Sequence, residues 1–286
     1  MDSAINWDDL PVTVTGMSNQ AYHQKKPFDG RSFLCSVQKG GGEAQLWMDT
    51  GHSLFGGNSA TTTGSEFDEI VTAILGGKRF DCVVVVPPDE VLGANGSRST
   101  KAYKEWAAGQ TGICITADKK WQYGKMLDSM RGNDAVYELM TKTTRTQLSV
   151  FFEAYGHKLK VRPDACCDDK WWDLKTTSSP WDRIHRSALD YGYLEQDWLY
   201  QQGAYAIGYP PFRMPFVFVQ TAPPFSCRAF VLPEEMVAAA GRRLISTMEE
   251  VRLRRSTGMY VPADAEEIQE MAFPQWAMRQ EEVVEL

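Results

Sequence analysis

The two stretches KVRPD (residues 160–164) and WWDLKTT (residues 171–177) decide the fold. We predict that the first closes a strand over 158–163 and that the second belongs to a strand over 170–176. Residues two apart in a strand share a face, so Asp173 and Lys175 should project together while Leu174 faces the core. Asp164, at the end of the preceding strand, is expected to lie beside this pair.

The sequence around these strands predicts a three-stranded meander. Residues 146–155 alternate in hydropathy, with Leu148, Val150 and Phe152 on one face, as expected of a half-buried strand. Gly156 and His157 form the turn that leads into the strand over 158–163. After the meander, we predict a helix over 192–207, strands over 216–220 and 228–232, and a long helix from 233 to about 255.

The first half of the chain reads as helix and loop. The glycine-rich segments 40–42 and 56–63 predict loops, and apolar residues at helical spacing predict a helix over 65–75. Further predicted elements are a strand over 80–86 and helices over 100–108 and 119–141. We expect one α/β domain over residues 1–286, in which 1–145 is the mostly helical N-terminal portion and 146–286 is the catalytic core with a C-terminal helix.

Composition excludes several classes of protein. Of 286 residues, 43% are hydrophobic and 23% are charged, which is typical of globular rather than disordered chains. The net charge is −7, yet residues 98–186 hold 16 Lys and Arg against 11 Asp and Glu, a locally basic region that suits either nucleic acid or ordinary solvent. No apolar run approaches the roughly 20 residues of a membrane span, and the N-terminus lacks signal-peptide character. We therefore expect a cytoplasmic protein.

Cysteine and histidine patterns limit the kinds of metal site. The six Cys form no C-x-x-C pair, and none of the four His lies four residues from another. Zinc ribbons, cysteine-ligated iron–sulfur clusters and helical His pairs therefore lack their usual spacing. Any metal should be held by oxygen ligands.

The acidic residues of the two strands suit such a metal. Asp164, Asp173 and the carbonyl of Leu174 offer oxygen ligands to a hard cation, Mg²⁺ or Mn²⁺. Such a cation activates water and polarises a phosphoryl oxygen, and Lys175 could orient that water, which implies phosphodiester hydrolysis. The alternative is a surface ion pair between Asp173 and Lys175, worth little free energy. Because the flanking residues Trp171 and Trp172 predict a buried strand, where an unpaired acid is unfavourable, they favour the metal.

Further motifs lie on both sides of these strands. They are GMSNQAYH (16–23), GSEF (64–67), DYGYLEQ (190–196) followed by Tyr200, and FPQW (273–276). With R-P-D and D-L-K-T-T in this order, the chain resembles the exonuclease VIII (RecE-like) branch of the PD-(D/E)XK nucleases over nearly its whole length. The resemblance implies a restriction-endonuclease-like core, with a mixed central sheet flanked by helices.

The resemblance also implies roles for individual residues. Asp164 and Asp173 would bind the metal with the Leu174 carbonyl, and Lys175 would serve the attacking water. Gln196 and Tyr200 match the family's Q-x-x-x-Y helix; four residues apart, they share a helix face and could position the lysine or contact DNA.

At three positions the chain departs from the family pattern. Asp68 stands where the family commonly has a His ligand, and we expect it to be a third carboxylate ligand or, alternatively, only a solvated helix residue. Gln147 and Gln220 stand where Glu is usual, and amides bind hard cations more weakly. Glu153 lies about 20 Å from Gln147 along an extended strand and should not replace it.

The resulting functional expectation is an exonuclease that degrades linear double-stranded DNA from its ends, 5′ to 3′ by resemblance, leaving single-stranded tails for recombination. The same resemblance implies a homo-oligomeric ring around DNA and a single-strand annealing protein as partner. Two alternatives remain open at this point. One is an endonuclease of the same fold, and the other is a DNA-binding protein with an inactive site.

Overall fold

Helices and strands alternate along residues 6–54, 59–260 and 270, which are the residues that this computed structural model describes. The helices are α1 (Asn19–Gln24), α2 (Arg31–Asp49), α3 (Ser59–Leu75), α4 (Phe80–Val83), α5 (Lys101–Ala108), α6 (Ala117–Arg131), α7 (Asp134–Lys142), α8 (Ile184–Asp190), α9 (Tyr193–Ala206) and α10 (Glu234–Thr257). The strands are β1 (Val12–Val14), β2 (Val84–Val85), β3 (Ile113–Cys114), β4 (Arg145–Thr146), β5 (Ser149–Ala154), β6 (His157–Val161), β7 (Ala165–Cys166), β8 (Trp171–Thr177), β9 (Phe216–Gln220) and β10 (Cys227–Phe230).

The largest sheet of the described residues is mixed, with the strand order β10-β9-β8-β7-β4. Strands β8 and β9 run parallel, and the other neighbours in this sheet run antiparallel. A parallel pair needs a crossover connection, and α8 and α9 supply it between β8 and β9. Strands β1, β5 and β6 form an antiparallel sheet, and β2 pairs with β3. The fold is therefore mixed α/β, as predicted.

The predicted meander is present, but it bends between two sheets. Strands β5 and β6 pair in the three-stranded sheet, whereas β4, β7 and β8 pair in the five-stranded one. The single strand predicted over 146–155 is wrong, because Gln147 adopts a φ of 50° and interrupts it. Across the bend, the Gln147 N–H donates to the Asp164 carbonyl at 3.0 Å. Two candidate site residues therefore meet where the ladder changes sheets.

Strand β8 is buried on both faces. Trp171 packs in a cluster with residues of α9 and α10, and the adjacent Trp172 packs on the opposite side with residues of α3 and α6; both are fully enclosed. The prediction that the strand over 146–155 is half-buried is also wrong, because Phe151 on its second face is fully buried against Tyr22 and Phe28 of the N-terminal segment.

Several predicted boundaries shift for local physical reasons. The loop predicted at 40–42 is wrong, since these glycines lie within α2, where Gly41 with φ of 66° kinks the helix. The loop predicted at 56–63 is wrong from Ser59 onward, where α3 begins, and residues 55–58 lie outside the described part. The strand predicted over 80–86 starts as the helical turn α4, and only Val84–Val85 is extended.

The helix predicted over 119–141 is two helices. They separate at Gly132 and Asn133, where the Asn133 side chain accepts a hydrogen bond from Val136 N–H at 3.1 Å and caps α7. The elements predicted over 216–220, 192–207 and 233–255 are confirmed as β9, α9 and α10, and the strand predicted over 228–232 lies slightly earlier, as β10. The FPQW motif at 273–276 lies outside the described residues. Within them, no helix combines the length and apolar character that crossing a membrane requires.

Candidate active site

Adjacent strands bring two carboxylates and a lysine together. Asp173 and Lys175 lie on one side of β8 and form a close ion pair, as their spacing predicts. Leu174 between them packs in the opposite cluster with Phe67. Asp164 lies just before β7, and its Oδ2 accepts a hydrogen bond from Leu174 N–H at 2.8 Å. The R-P-D and D-L-K segments therefore converge.

A third carboxylate reaches this point from α3. The Gln147 side-chain amide donates to Asp68 Oδ2 at 3.1 Å and to Asp164 Oδ1 at 3.2 Å. The positive φ of Gln147 turns the chain at the bend, where its amide bridges two acids from distant parts of the sequence. The structure thus places Asp68 and Gln147 in the site.

Helix α9 lies over the same acids. The Gln196 amide donates to Asp173 Oδ1 at 2.7 Å, and the Tyr200 hydroxyl donates to the Arg162 carbonyl at 2.8 Å. Gln196 therefore positions a carboxylate rather than the lysine, and Tyr200 fixes the backbone two residues before Asp164. Seven candidates line one cleft of about 1150 Å³: Asp68, Gln147, Asp164, Asp173, Lys175, Gln196 and Tyr200.

Two other residues singled out in the sequence do not line this cleft. Glu153 is exposed near the far end of β5, where it lies opposite Lys158. The Gln220 amide donates to the Ser179 carbonyl at 3.5 Å at the end of β9. Neither takes part in the contacts between the acids.

Crowding of acids perturbs the site's electrostatics. Burial and then the charge of Asp173 raise the pKa of Asp68 to about 7. Burial, with the charges of Asp173 and Asp68, also raises the pKa of Asp164 well above its usual range. Burial alone would lower the pKa of Lys175, but the nearby charges of Asp173 and Asp164 raise it. A second cation would relieve this repulsion.

The oxygen atoms of the site suit a hard cation. Asp173 Oδ2 and Gln196 Oε1 are buried and accept no hydrogen bond of regular geometry, although the Lys175 ammonium lies against Asp173 Oδ2. Among the described residues, no three His, Cys, Asp or Glu side chains are arranged as a ready-made metal-binding group. The arrangement accounts for this, because the Gln147 amide lies between Asp68 and Asp164. The donors therefore fit a cation held first by Asp164 and Asp173, and Asp68 can join only if Gln147 moves.

Basic residues that the sequence analysis did not select line the same cleft. Lys160 and Arg162 alternate on the strand that leads to Asp164, and both stack on the Tyr22 ring. The Lys160 ammonium is fully engaged, donating to three main-chain carbonyls of residues 22–25. The alternation K-x-R before Pro163 was the available signal, but charge alone does not show which face of a strand is covered.

Arg162 differs from Lys160 because part of its guanidinium has no partner. The side chain is 7% exposed, its Nε donates to Ser149 Oγ at 2.9 Å and its Nη1 to Asn19 Oδ1 at 2.9 Å. The buried Nη2 has no acceptor among the described residues. A buried cation without a carboxylate partner is unfavourable on its own and suits an anionic ligand.

Comparison with known proteins gives a fold-level likeness. No protein-family model matches the chain, and no curated protein matches it. A solved structure from Eubacterium rectale, named "Putative exonuclease", superposes with a TM-score of 0.58 at 11% identity, covering 93% of this chain and 98% of that one. A Vibrio cholerae protein, VC1899, covers 81% of this chain and 57% of its own at 8% identity, with a TM-score of 0.19 that carries no argument. The chain therefore shares the fold of a protein that is named as an exonuclease.

Proposed function

We propose that the protein is a metal-dependent deoxyribonuclease of the PD-(D/E)XK type, most similar to its RecE-like branch. The observation that carries the proposal is the convergence of Asp164, Asp173 and Lys175 from adjacent strands in one cleft, with Asp68 held beside them. The order of elements supports it, since α3, the bent β-meander, α9 and the parallel strand β9 surround these residues. The fold-level likeness to a protein named as an exonuclease agrees with a nuclease.

Asp164 and Asp173 would hold Mg²⁺, or Mn²⁺, together with the Leu174 carbonyl and Asp68. When bound, the cation would supply a polarised phosphoryl oxygen and a water of lowered pKa. The Gln196 amide fixes Asp173 Oδ1, which leaves Oδ2 for the ion, and Tyr200 fixes the backbone that carries Asp164. These contacts hold the two carboxylates at a fixed separation.

Lys175 would act on the reacting groups rather than on the ion. Its ammonium is buried beside Asp173 and its pKa is raised, so it stays protonated at neutral pH. A protonated amine can orient the attacking water by hydrogen bonding and stabilise the negative charge that develops on the phosphoryl oxygens. Its position on the same side of the strand as Asp173 places it where both roles are served.

The basic side of the cleft would bind the DNA strand. Arg162 lies two residues before Asp164, so a phosphate held by its guanidinium would be within about 7 Å of the chain at the carboxylates. Action from the ends of linear duplex in the 5′ to 3′ direction, a homo-oligomeric ring around DNA, and a single-strand annealing partner complete the proposal, and all three rest on the family resemblance.

The decisive test is cleavage of end-labelled linear duplex DNA, compared with closed circular DNA, with and without Mg²⁺. We expect Mg²⁺-dependent release of nucleotides from linear DNA only. Asp173→Asn should abolish the activity, whereas Asp128→Asn, an exposed acid on α6, should not. Cleavage of closed circles would indicate an endonuclease instead. DNA binding without cleavage at any Mg²⁺ or Mn²⁺ concentration would indicate an inactive DNA-binding protein and would overturn the proposal.

A further inference from the structure

Helix α9 separates the candidate active site from a second cavity. Gln196 and Tyr200 face the acids of the cleft, whereas their neighbours Asp197 and Gln201 line a cavity of about 510 Å³ on the opposite side. Residues 211–213 and the first turns of α10 complete its wall. None of the residues that line this cavity belongs to the proposed nuclease site.

Asp197 is a buried acid without a counter-charge. Its side chain belongs to a residue that is 2% exposed, and its Oδ1 accepts one hydrogen bond, from the Gln201 amide at 2.7 Å. No Lys, Arg or His nitrogen of the described residues lies within 4.0 Å of its carboxylate, and no donor among them reaches Oδ2. Burial raises the pKa of Asp197 to about 6, although Gln201 and Arg213 oppose the shift. At neutral pH a largely ionised carboxylate therefore lines a cavity with nothing to neutralise it.

The nearest candidate partner within the chain is engaged elsewhere. Arg213 lines the same cavity, but its Nη2 donates to the Leu232 carbonyl at 2.9 Å and the residue is exposed. The remaining wall carries aromatic rings, those of Trp198, Tyr205 and Phe212. A carboxylate among aromatic rings matches organic cations, because ring faces attract positive charge and the acid supplies the hydrogen-bond acceptor.

We propose that this cavity binds an organic cation, an alkylguanidinium or alkylammonium group, with Asp197 as its anionic contact and the three rings as its apolar enclosure. The group has two sources of the same chemistry. It is either a free polyamine-like molecule or an arginine or lysine side chain of a second copy of this chain. The site is independent of the nuclease proposal, since the acids and the lysine of the cleft take no part in it.

The test is calorimetric titration of the full chain with agmatine, an alkylguanidinium, at pH 8. We expect the wild type and the exposed-acid control Asp128→Asn to bind, and Asp197→Asn to bind at least about tenfold more weakly, a loss of about 1.4 kcal/mol. Sedimentation velocity distinguishes the sources. Self-association that agmatine reverses and that Asp197→Asn abolishes assigns the cation to a second copy. Neither agmatine binding nor Asp197-dependent association would overturn the proposal.

Two further measurements guard against an unfolded variant and against filling by Arg213. In the wild type at pH 6, agmatine binding should release protons, because the cation favours the charged form of Asp197; the other titratable groups lining the cavity are Tyr205, Arg213 and Glu234. Binding without proton release at pH 6 would contradict the assignment. Arg213→Gln should bind agmatine as well as the wild type or better. Binding by that variant alone would show that Arg213 fills the cavity, and would also overturn the proposal.

Discussion

Two groups of acids line the same cleft and differ in their counter-charges. In the first, Asp29 and Asp49 surround the Arg255 guanidinium, with distances of 2.6 Å to Asp29 Oδ2 and 2.8 Å to Asp49 Oδ1, and His157 Nε2 lies 2.8 Å from Asp29 Oδ2. In the second, Asp68, Asp164 and Asp173 share only the Lys175 ammonium and two amides. The first group is paired and the second is crowded.

The two groups titrate in opposite directions despite comparable surroundings. Burial alone would raise the pKa of Asp29, but hydrogen bonds from His157 and Arg255 outweigh it and lower the pKa below its usual range. For Asp68, burial and the neighbouring Asp173 act together, and the pKa rises. The counter-charge, not burial, therefore separates a group that ties α10 to the N-terminal segment from a group suited to bind a cation.

The largest expected effect lies in the crowded group. Asp173→Asn should reduce cleavage at least about a thousandfold, roughly 4 kcal/mol in barrier, because it removes a metal-bound charge. The melting temperature should not fall, since the amide keeps the shape of the side chain and relieves repulsion with Asp164. Cleavage rate and thermal unfolding measured on one preparation check this. Activity within tenfold of the wild type would remove Asp173 from the site.

The next effect separates the lysine from the acids. Lys175→Met should reduce single-turnover cleavage about a hundredfold, roughly 2.7 kcal/mol, because the transition state loses a positive charge. Binding of DNA and of Mg²⁺ should persist, since both carboxylates remain. A Mg²⁺ titration and a DNA-binding isotherm accompany the rate measurement. Loss of Mg²⁺ binding equal to that of Asp173→Asn would contradict a role in the chemical step.

The paired group should show the reverse pattern. Asp29→Asn should lower the free energy of unfolding by about 2 kcal/mol at pH 7, because Arg255 and His157 lose a charged acceptor, while cleavage by the folded protein is retained. The folded-state pKa of Asp29 is lowered, so its stabilisation is complete above its unfolded value of about 3.9 and disappears as pH falls through the folded pKa. Denaturant unfolding of both proteins from pH 7 downward should converge; a constant difference would contradict the pairing.

The smallest effect concerns Asp68, the acid that the amide of Gln147 holds. Asp68→Ala should raise the Mg²⁺ concentration for half-maximal cleavage about tenfold, because one carboxylate ligand is lost while two remain. Asp68→His should keep activity, since His is also a metal ligand. Superimposed Mg²⁺ titrations of the wild type and Asp68→Ala would show that Asp68 only solvates or supports α3.

Local periodicity predicted the centre of the site, and tertiary packing determined its margins. Asp173 and Lys175 share a face because alternation along a strand depends only on neighbours in sequence. The φ of 50° at Gln147 arises where the meander changes sheets, and no periodicity reports that event. The unpartnered Nη2 of Arg162 and the full burial of Phe151 likewise depend on the N-terminal segment that covers them. Pairing between distant segments was the information missing from the sequence.

The amide of Gln147 sets the sign of one corner of the site. With Gln, a single nitrogen offers hydrogen atoms to Asp68 and Asp164, so the two acids are held together before any ion arrives. With Glu at this position, that nitrogen becomes an oxygen and the corner contains only acceptors, which repel one another unless a cation is present. The exchange of one atom type therefore converts a corner that assembles during folding into one that assembles only on loading, with tighter binding of the ion in return.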